Sequence, residues 1–492
     1  MPLLIALDQS TSATKAVLVD HTGRVLDKTA RDHRQIYPQS GWVEHDAAEI
    51  WANVVAVVRE LAERNADALD ELAGVSIANQ RETFVVFDRA TGEPLHNAIV
   101  WQCRRGAPIC SELIEAGHEP LVIERTGLKL DTYFPAAKIS WLMRERPELA
   151  EQIQNGAAAV STIDGYLVHR LTGGDTFATD HTNASRTLLY NVRTLNWDDD
   201  LCDLFGVPMT ALPAVRESDE PFGDTDVAGA LPRPVPVCGV MGDSQAAMFA
   251  QRCFQPGSGK ATFGTGTSVL LNVGHEPLPS TASAVLAVAW VLEGAPTYAY
   301  EGLINYSAAT VAWLRDQLGL IKDSAESEQV AAEVDDNGGV YLVPAFAGLS
   351  APHWRPDARA AIVGMSGHTT RAHIVRAALE SIAYQVRDVL DALRTESGVA
   401  PAALAVDGGP TRNKLLMQLI ADIARVELHA ADIPEASALG AAQAAWLGLG
   451  LRTMDDLAAE VREHATFKPQ MPADEADRLY AGWQQAVQRV LL

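Results

Sequence analysis

Short apolar runs joined by small-residue turns mark the start and the middle of the chain. The run LLIAL at 3–7 is followed by a turn of small, hydroxylated residues at 8–14 and by a second β-type run at 15–20. This order predicts a strand hairpin. The same order returns between residues 258 and 274 as SGKATF, GTGTS and VLLNVG. Two copies of one hairpin predict two domains of similar design that face each other.

Helical periodicity alternates with buried strands between and after these hairpins. Apolar residues recur at helical spacing over 51–62, behind a capping-box pattern at Asp46 and Glu49. A long amphipathic helix is predicted after Thr370, and Gly398 ends it. Alternation of this kind predicts an α/β fold in which helices cover the sheets.

The length of the chain predicts more than one domain. One hydrophobic core stops growing at about 250 to 300 residues, and this chain has 492. We therefore predict an N-terminal domain over 1–250 and a C-terminal domain over 251–492, with a deep cleft between them. The boundary follows the helix expected after Asp243.

Composition narrows the class of partner and the compartment. The chain carries 63 acidic and 39 basic residues, a formal net charge of −24, which repels nucleic acids and favours a small-molecule partner. Its 5 cysteines have no CxxC spacing, which predicts reduced thiols in the cytoplasm. Asp8 interrupts the first apolar run, and Gln443 lies in an apolar stretch too short to span a bilayer, so neither export nor membrane insertion is predicted.

Three small-residue turns offer backbone amides and hydroxyls to an anion. They are DQSTSATK at 8–15, GTGTS at 264–268 and DGGPTRN at 407–413. Two such turns that face each other across a cleft would clamp a polyphosphate, and Asp8 at a strand end suits a magnesium ion held through water. The structural alternative is that each is an ordinary turn of common composition. The chain has no GxxxxGK[ST] loop, so a P-loop fold is not predicted.

Four polar and aromatic residues form a second candidate group. Arg81 and Glu82 stand between two predicted strands, where a donor and an acceptor side by side can pair with adjacent hydroxyls. Trp101 and Tyr133 offer flat faces to the C–H side of a polyol. A surface ion pair and two core aromatics are the alternative interpretation.

Ordered sequence blocks connect these candidates to a known family. They are ALDQST, QIYPQSGWVEHD, NQRET, NAIVWQCRR, YFPAAKISWLMRE, TDHTNASRTLLYN, VPAFAGLSAPHW, AAIVGMSGHTTRAHIVRAALE, LESIAYQVRDVL and VDGG. In these blocks, over essentially its whole length, the chain resembles the FGGY carbohydrate kinase family, and within it the branch that acts on glycerol. The resemblance implies an actin-like fold of two ribonuclease-H-like domains that close over ATP. It also implies phosphorylation of a terminal hydroxyl of a small polyol, with glycerol as the leading substrate.

The resemblance also assigns roles to residues. It implies that Asp243 is the base that orients the acceptor hydroxyl and accepts its proton. It implies a magnesium-associated role for Asp8 and Asp243. The polyol site implied by matching positions consists of Arg81, Glu82, Trp101, Tyr133, Asp243 and, next to the base, Ser244. The implied nucleotide contacts are Thr11, Ser12, Ala13, Lys15, Thr265, Gly266, Gly409 and Asn413.

Departures from the family pattern leave the preferred acceptor open. Ser244 and Ser268 stand where glycerol kinases usually have Gln and Phe, which predicts a roomier and more polar pocket unless neighbouring side chains repack. A tetritol or a ketose is therefore the alternative acceptor.

Other departures concern nucleotide preference and regulation. Ala308 and Ala312 replace Gly and Gln near the expected adenosine site. The stretch DVAGALPRPVPV has Arg233 as its only base, which argues against control by fructose 1,6-bisphosphate. Family resemblance further suggests a homo-oligomer, a dimer or a tetramer. A catalytically silent sensor is a third interpretation, against which the presence of Asp8, the first phosphate turn and Asp243 speaks.

Overall fold

The computed structural model describes residues 2–278, 285–349, 352–355, 357–431, 433–460 and 464–492. Residues 350 and 351 of the block VPAFAGLSAPHW lie outside the described residues.

The strands of the N-terminal half are β1 (Leu3–Gln9), β2 (Ala13–Asp20), β3 (Val25–Asp32), β4 (Glu44–His45), β5 (Leu72–Asn79), β6 (Phe84–Asp88), β7 (Ala98–Ile99), β8 (Ala158–Thr162), β9 (Ala178–Asp180), β10 (Tyr190–Asn191), β11 (Asn196–Trp197), β12 (Ala214–Arg216), β13 (Pro221–Thr225) and β14 (Val235–Gly242). Its α-helices are α1 (Ala47–Arg64), α2 (Ala107–Glu115), α3 (Glu119–Thr126), α4 (Pro135–Glu145), α5 (Pro147–Gln154), α6 (Ile163–Leu171), α7 (His181–Ala184), α8 (Asp199–Phe205) and α9 (Asp243–Ala250).

The strands of the C-terminal half are β15 (Ser258–Phe263), β16 (Thr267–Gly274), β17 (Val285–Leu292), β18 (Ala295–Ile304), β19 (Tyr341–Val343), β20 (Ala361–Val363), β21 (Ala403–Asp407), β22 (Glu427–Ala430) and β23 (Ala465–Phe467). Its α-helices are α10 (Ala308–Asp316), α11 (Glu326–Ala331), α12 (Arg371–Ser397), α13 (Lys414–Ala424), α14 (Ala436–Gly448), α15 (Met454–Ala459) and α16 (Ala473–Leu491).

The two predicted hairpins begin the central sheets of the two halves. In the N-terminal sheet, β1 pairs antiparallel with β2 and parallel with β5, β2 pairs with β3, and β14 joins the parallel side. In the C-terminal sheet, β15 pairs antiparallel with β16 and parallel with β21, β16 pairs with β18, and β22 joins the parallel side. Both sheets thus repeat one topology, which confirms the predicted α/β fold of two similar halves.

The predicted helices form because their capping signals and apolar faces agree. The Asp46 side chain accepts hydrogen bonds from the amides of Ala48 and Glu49 at the start of α1. In the C-terminal half, α12 ends at Gly398, whose φ of 68° lies in the left-handed region that glycine adopts without strain. Both helix ends fall where the sequence predicts them.

Helices α9 and α14 pack against each other between the two central sheets. Their apolar residues share one buried cluster with residues of both sheets, among them Leu4, Met248, Leu270 and Trp446. Gly440 permits the close approach, because a Cβ at that position would overlap the carbonyl oxygen of Ala246. The contact ties the helix that begins at Asp243 to the core between the halves.

We expect Gly440→Ala to destabilise the protein. Helix propensity alone would favour alanine by about 1 kcal/mol, but the methyl group meets backbone that cannot move aside. Overpacking of this kind costs about 1 to 3 kcal/mol, so the free energy of unfolding measured by urea titration should fall. Gly367→Ala is the matched control, because a Cβ there meets open space. Equal stability of the two variants would contradict the packing argument.

Two further observations concern the chain as a whole. No helix within the described residues is long and apolar enough to cross a bilayer. Cys103, Cys110, Cys202, Cys238 and Cys253 are all buried and free of disulfides.

Candidate active site

Asp243 stands where β14 passes into α9. The amide of Gly242, the last residue of the strand, donates to Thr182 Oγ1 at 2.8 Å, which fixes the strand end. The side chain of Asp243 is 34% exposed. Its Oδ1 accepts from the Ser244 amide at 2.6 Å. Since that bond occupies one oxygen, the other carboxylate oxygen can accept a proton from a ligand.

Arg81 passes over Gly242 and brings one edge of its guanidinium to Asp243. A Cβ on Gly242 would lie only 2.8 Å from Cγ of Arg81, so the glycine makes this passage possible. Arg81 Nε lies 3.5 Å from Asp243 Oδ1 and 3.9 Å from Glu82 Oε1. Both separations exceed the upper limit of about 3.2 Å for an ordinary N–H···O bond. This edge therefore faces two carboxylates and can donate to a hydroxyl placed between them.

The other end of Arg81 belongs to a buried ring of opposite charges. Nη1 and Nη2 of Arg81 donate to Glu301 Oε2 and Oε1 at 3.2 and 2.7 Å. Arg186 Nε donates to Glu82 Oε1 at 2.6 Å, and its Nη2 lies 2.8 Å from Glu301 Oε2. Burial alone would raise the pKa of Glu301, but the charges of Arg81 and Arg186 outweigh it and lower that pKa to about 2. The ring joins the N-terminal half to β18 of the C-terminal half.

Glu82 holds a strained backbone conformation in this ring. Its φ of 61° is left-handed, which is uncommon for a non-glycine residue. Such strain costs on the order of 1 to 3 kcal/mol and persists only where the surroundings enforce it. The ion pair to Arg186 and the burial of the side chain supply that enforcement.

The predicted aromatic pair lies beside the charged ring. The rings of Trp101 and Tyr133 meet edge to face at 5.4 Å. Burial, and next the charge of Glu82, raise the pKa of the Tyr133 phenol above its ordinary value, so it stays neutral. Lys138 Nζ donates to the carbonyls of Tyr133 and Trp101 at 3.1 and 3.4 Å. These bonds fix the two aromatic residues beside Arg81 and Glu82, the other members of the predicted polyol site.

The first small-residue turn, at 8–15, connects directly to this aromatic pair. Trp101 Nε1 donates to Thr11 Oγ1 at 3.0 Å. The carbonyl of Thr11 accepts from Gln35 Nε2 at 2.8 Å and lies 2.9 Å from His33 Nε2. Ser12 and Ala13 complete the turn between β1 and β2, where the amide of Ala13 reaches Ser10 Oγ at 3.3 Å. A shift of the turn is thereby coupled to Trp101.

Lys15 and Asp8 form an ion pair at the base of this turn. Lys15 Nζ lies 3.3 Å from Asp8 Oδ2 and 2.8 Å from Glu435 Oε2, and it is 30% exposed. Burial raises the pKa of Asp8 to about 6, Lys15 opposes that shift, and the nearby charge of Asp243 adds to it. Asp8 and Asp243 are thus two carboxylates close enough to repel each other.

The two carboxylates of Asp8 and Asp243 suit the predicted magnesium ion. A cation between the two carboxylates would offset both burial and repulsion. No group of three or more His, Cys, Asp or Glu side chains within the described residues is arranged to hold a metal. The ion would therefore complete its shell with water and nucleotide phosphates, as magnesium commonly does.

The second turn lies at the corresponding place in the C-terminal half. Thr265 and Gly266 lie between β15 and β16, and the carbonyl of Thr265 accepts from the Ser307 amide at 2.9 Å. Ser268, the last residue of the GTGTS segment and already part of β16, donates to Glu301 Oε1 at 3.0 Å. The turn is thereby tied to the ring that holds Arg81.

The third turn lies next to the second, but the side chain of one of its predicted nucleotide contacts, Asn413, is already hydrogen-bonded within the protein. A Cβ on Gly408 would overlap the carbonyl oxygen of Phe263, so the end of β21 touches the end of β15. Gly409 is the next residue of this turn. Asn413 Oδ1 accepts from the Leu416 amide at 2.8 Å and caps α13, while its Nδ2 lies 3.3 Å from Ser327 Oγ. Asn413 therefore has a helix-capping role in this structure, and its contact with a nucleotide stays a prediction.

Sequence reasoning missed the residues that hold the site together. Arg186 lies in TDHTNASRTLLYN and Lys138 in YFPAAKISWLMRE, two blocks recognised only as family motifs. Glu301 is the one acid in the buried strand APTYAYEGLI. An isolated acid in an apolar strand is the sequence feature that could have identified it. A charge in such a strand requires a partner, because an unpaired buried carboxylate is costly.

Comparison with known proteins identifies the family to which the chain belongs. The model of the FGGY family of carbohydrate kinases, N-terminal domain, matches residues 3–250, and that of the C-terminal domain matches residues 259–449. A glycerol kinase from Symbiobacterium thermophilum is 46% identical over 487 residues, which cover 99% of this chain and 98% of the relative. A glycerol kinase from Desulfitobacterium hafniense is 45% identical over 489 residues and covers 99% of each.

Solved structures show the same fold. The Plasmodium falciparum glycerol kinase crystallised with ADP has a TM-score of 0.95 and 35% identity, with 100% of this chain and 99% of that chain covered. A ligand-bound xylulose kinase from Lactobacillus acidophilus has a TM-score of 0.89 at 21% identity, covers 99% of each chain and shows the fold alone. By its motifs, its duplicated topology and its full-length similarity, the chain belongs to the FGGY family of carbohydrate kinases.

Proposed function

We propose that this protein transfers the terminal phosphoryl group of ATP to a terminal hydroxyl of glycerol and releases glycerol 3-phosphate and ADP. One observation carries the proposal: the partly exposed carboxylate of Asp243 lies 3.5 Å from the Nε edge of Arg81 at the end of β14. The chain around them is 45 to 46% identical to curated glycerol kinases over nearly its full length.

Acceptor binding follows from the polarity of this space. Arg81 Nε donates to one hydroxyl of the polyol, and Glu82 accepts from its neighbour. Trp101 and Tyr133 pack against the C–H side of the carbon chain. Ser244 lies beside the base and lines the remaining wall. The terminal hydroxyl then points to Asp243.

Phosphoryl transfer needs one proton acceptor and an in-line approach. The acceptor oxygen forms a bond to the γ-phosphorus as the bond to the β,γ-bridging oxygen breaks, and ADP leaves with that electron pair. The hydroxyl proton passes to the free oxygen of Asp243. General base catalysis of this kind contributes about 10² to 10⁴ in rate. Positioning and charge stabilisation supply most of the remainder.

The nucleotide lies between the small-residue turns in this proposal. The proposed contacts are Thr11, Ser12, Ala13 and Lys15 in the first turn, Thr265 and Gly266 in the second, and Gly409 and Asn413 in the third. Asp8 and Asp243 would hold magnesium, which neutralises phosphate charge when it is bound. Lys15 is already ordered by Asp8 and Glu435, so it adds a fixed positive charge to the turn.

The identity of the phosphorylated product tests the proposal. We expect incubation with ATP, magnesium and glycerol to give ADP and glycerol 3-phosphate in equal amounts, with the ester identified by ³¹P NMR. Without glycerol, ADP formation should fall to a small background of hydrolysis. Release of inorganic phosphate alone, or ADP formation that does not depend on an acceptor, would contradict the proposed function.

A second candidate is phosphorylation of a tetritol or a ketose. The hydroxyl of Ser268 favours it, because this group reaches the buried Glu301 rather than covering the acceptor with an apolar ring. The small hydroxylated side chains Ser244 and Ser268 stand where glycerol kinases usually have Gln and Phe, which favours an acceptor with one more hydroxylated carbon. A comparison of acceptors separates the two candidates.

Three further proposals concern the molecule as a whole. The boundary between the domains lies near residue 250, where α9 ends before β15 begins. The protein acts in the cytoplasm, which the buried and unpaired cysteines support. It assembles as a dimer or a tetramer, as the family resemblance suggests, and light scattering on the purified protein measures the assembly.

A further inference from the structure

Glu301 is a buried acid that reaches across from the C-terminal half, and the proposed reaction gives it no role. It lies on β18, and Ser268 lies on the neighbouring strand β16. Its side chain is fully buried, at 0% exposure. Both residues lie outside the N-terminal half that supplies the proposed acceptor contacts, yet Glu301 binds Arg81 directly and Ser268 donates to Glu301.

Glu301 accepts three hydrogen bonds and forms one further ion-pair contact. Oε1 accepts from Arg81 Nη2 at 2.7 Å and from Ser268 Oγ at 3.0 Å. Oε2 accepts from Arg81 Nη1 at 3.2 Å and lies 2.8 Å from Arg186 Nη2. Three of the roughly four lone-pair sites of the carboxylate are used, Arg186 lies against the same group, and the side chain is fully buried, so a substrate hydroxyl has no open approach to Glu301. It acts through its partners.

The position of Glu301 determines which edge of Arg81 is open. Because the carboxylate binds the Nη1–Nη2 end, the Nε edge points to Asp243 and Glu82. Without Glu301, the Nη groups would turn to the nearest remaining carboxylates, and Asp243 already lies 3.5 Å from Nε. Arg81 would then form a close pair with the proposed base and occupy the space of the acceptor.

We propose that Glu301, supported by Ser268, is a positioning residue that couples acceptor binding to contact between the two halves. This inference rests on the proposed function. When the halves meet, Glu301 orients Arg81 and the acceptor site becomes complete. When they separate, Arg81 loses its charged end-on partner, keeps only the neutral Gln245 Oε1, which accepts from Nη1 at 3.3 Å, and pairs with Asp243. The acceptor site is therefore competent only in the closed molecule, which limits transfer to water.

Kinetics of Glu301→Gln in the full-length protein test the inference. The amide keeps the shape of the side chain but loses the charge that holds Arg81. We expect KM for glycerol to rise about 10- to 100-fold, which corresponds to the loss of a charge-assisted hydrogen bond. KM for ATP should stay within about 3-fold, because no proposed nucleotide contact changes. The rate of ADP formation without acceptor should fall less than kcat/KM for glycerol does.

Glu380→Gln is the matched control. Glu380 is also a buried acid of the C-terminal half, 2% exposed, and accepts from Arg376 Nε at 2.9 Å. This variant should lose stability and keep both KM values. Ser268→Ala provides a milder second variant and is informative even if Glu301→Gln fails to fold. It should raise KM for glycerol by about 2- to 10-fold, the effect of one neutral donor.

The outcomes separate this inference from the proposed function. If the wild-type protein phosphorylates no acceptor, the proposed function fails and the inference fails with it. If the wild type is active and Glu301→Gln or Ser268→Ala leaves KM for glycerol unchanged, only the inference is overturned. Equal increases in KM for glycerol and KM for ATP would also overturn it, because they indicate a general structural role.

Discussion

Asp243→Asn should lower kcat by at least about 10²-fold, the lower end of the contribution of a general base. Asparagine retains the shape of the side chain and the oxygen that accepts from the Ser244 amide, so the local turn should survive. What is lost is the ability to take the acceptor proton. Binding of ATP should stay nearly intact, because the turn contacts proposed for the phosphates remain and Asp8 still carries a carboxylate for the magnesium ion. Steady-state kinetics with glycerol and a nucleotide-binding titration measure the two effects separately.

Asp46→Asn is the matched control for this substitution. Asp46 caps α1 by accepting from two backbone amides, and asparagine caps helices about as well. Both kcat and stability should therefore match those of the wild type. Turnover of Asp243→Asn at the wild-type rate would show that another group accepts the proton.

Arg186→Met should produce the largest loss of stability. The guanidinium of Arg186 is fully buried between Glu82 and Glu301, and methionine fills a similar volume without charge. The two carboxylates would then share only Arg81. Removal of one partner from a buried ion pair costs about 3 to 5 kcal/mol. The free energy of unfolding from urea titration should fall by this amount, and KM for glycerol should rise because the conformation of Glu82 loses its support.

Arg144→Met is the control for arginine removal. Arg144 pairs with Glu112 at 2.7 Å, but both side chains are more than half exposed, at 58% and 54%. Pairs of this kind contribute little to stability. If Arg186→Met were as stable as Arg144→Met, the ring would not contribute to stability as we describe.

The fold was predictable from local patterns. Each central sheet begins with a hairpin, and hairpins are specified by short apolar runs and turn residues that are neighbours in the chain. The ends of α1 and α12 follow from Asp46 and Gly398 for the same reason. The predicted acceptor residues lie within one half of the chain, where Arg81 lies beside Glu82 and Trp101 packs against Tyr133, and their role in binding an acceptor stays a prediction.

The ring of charges was not predictable in this way. Arg81 and Glu301 are 220 residues apart in the chain. Their pairing depends on how the two halves meet, which periodicity does not encode. The strand that contains Glu301 is buried along nearly its whole length, and its sequence does not show which residue pairs with the acid.

Asn413 illustrates a second kind of ambiguity. Its side chain was predicted to contact the nucleotide, and in the structure it caps α13. An asparagine at the start of a helix can cap the helix or contact a nucleotide, and the sequence alone does not distinguish the two roles. Lys15 is similar, because a lysine in a phosphate turn also pairs with the acids around it.

The most direct test of the account is a comparison of kcat/KM for glycerol, erythritol, threitol, dihydroxyacetone and xylulose with ATP and magnesium. Arg81, Glu82 and Asp243 offer one donor edge, one acceptor and one base, which match the three hydroxyls of glycerol. The account therefore predicts the highest kcat/KM for glycerol. A higher value for any larger acceptor, or no acceptor-dependent ADP release at all, would contradict it.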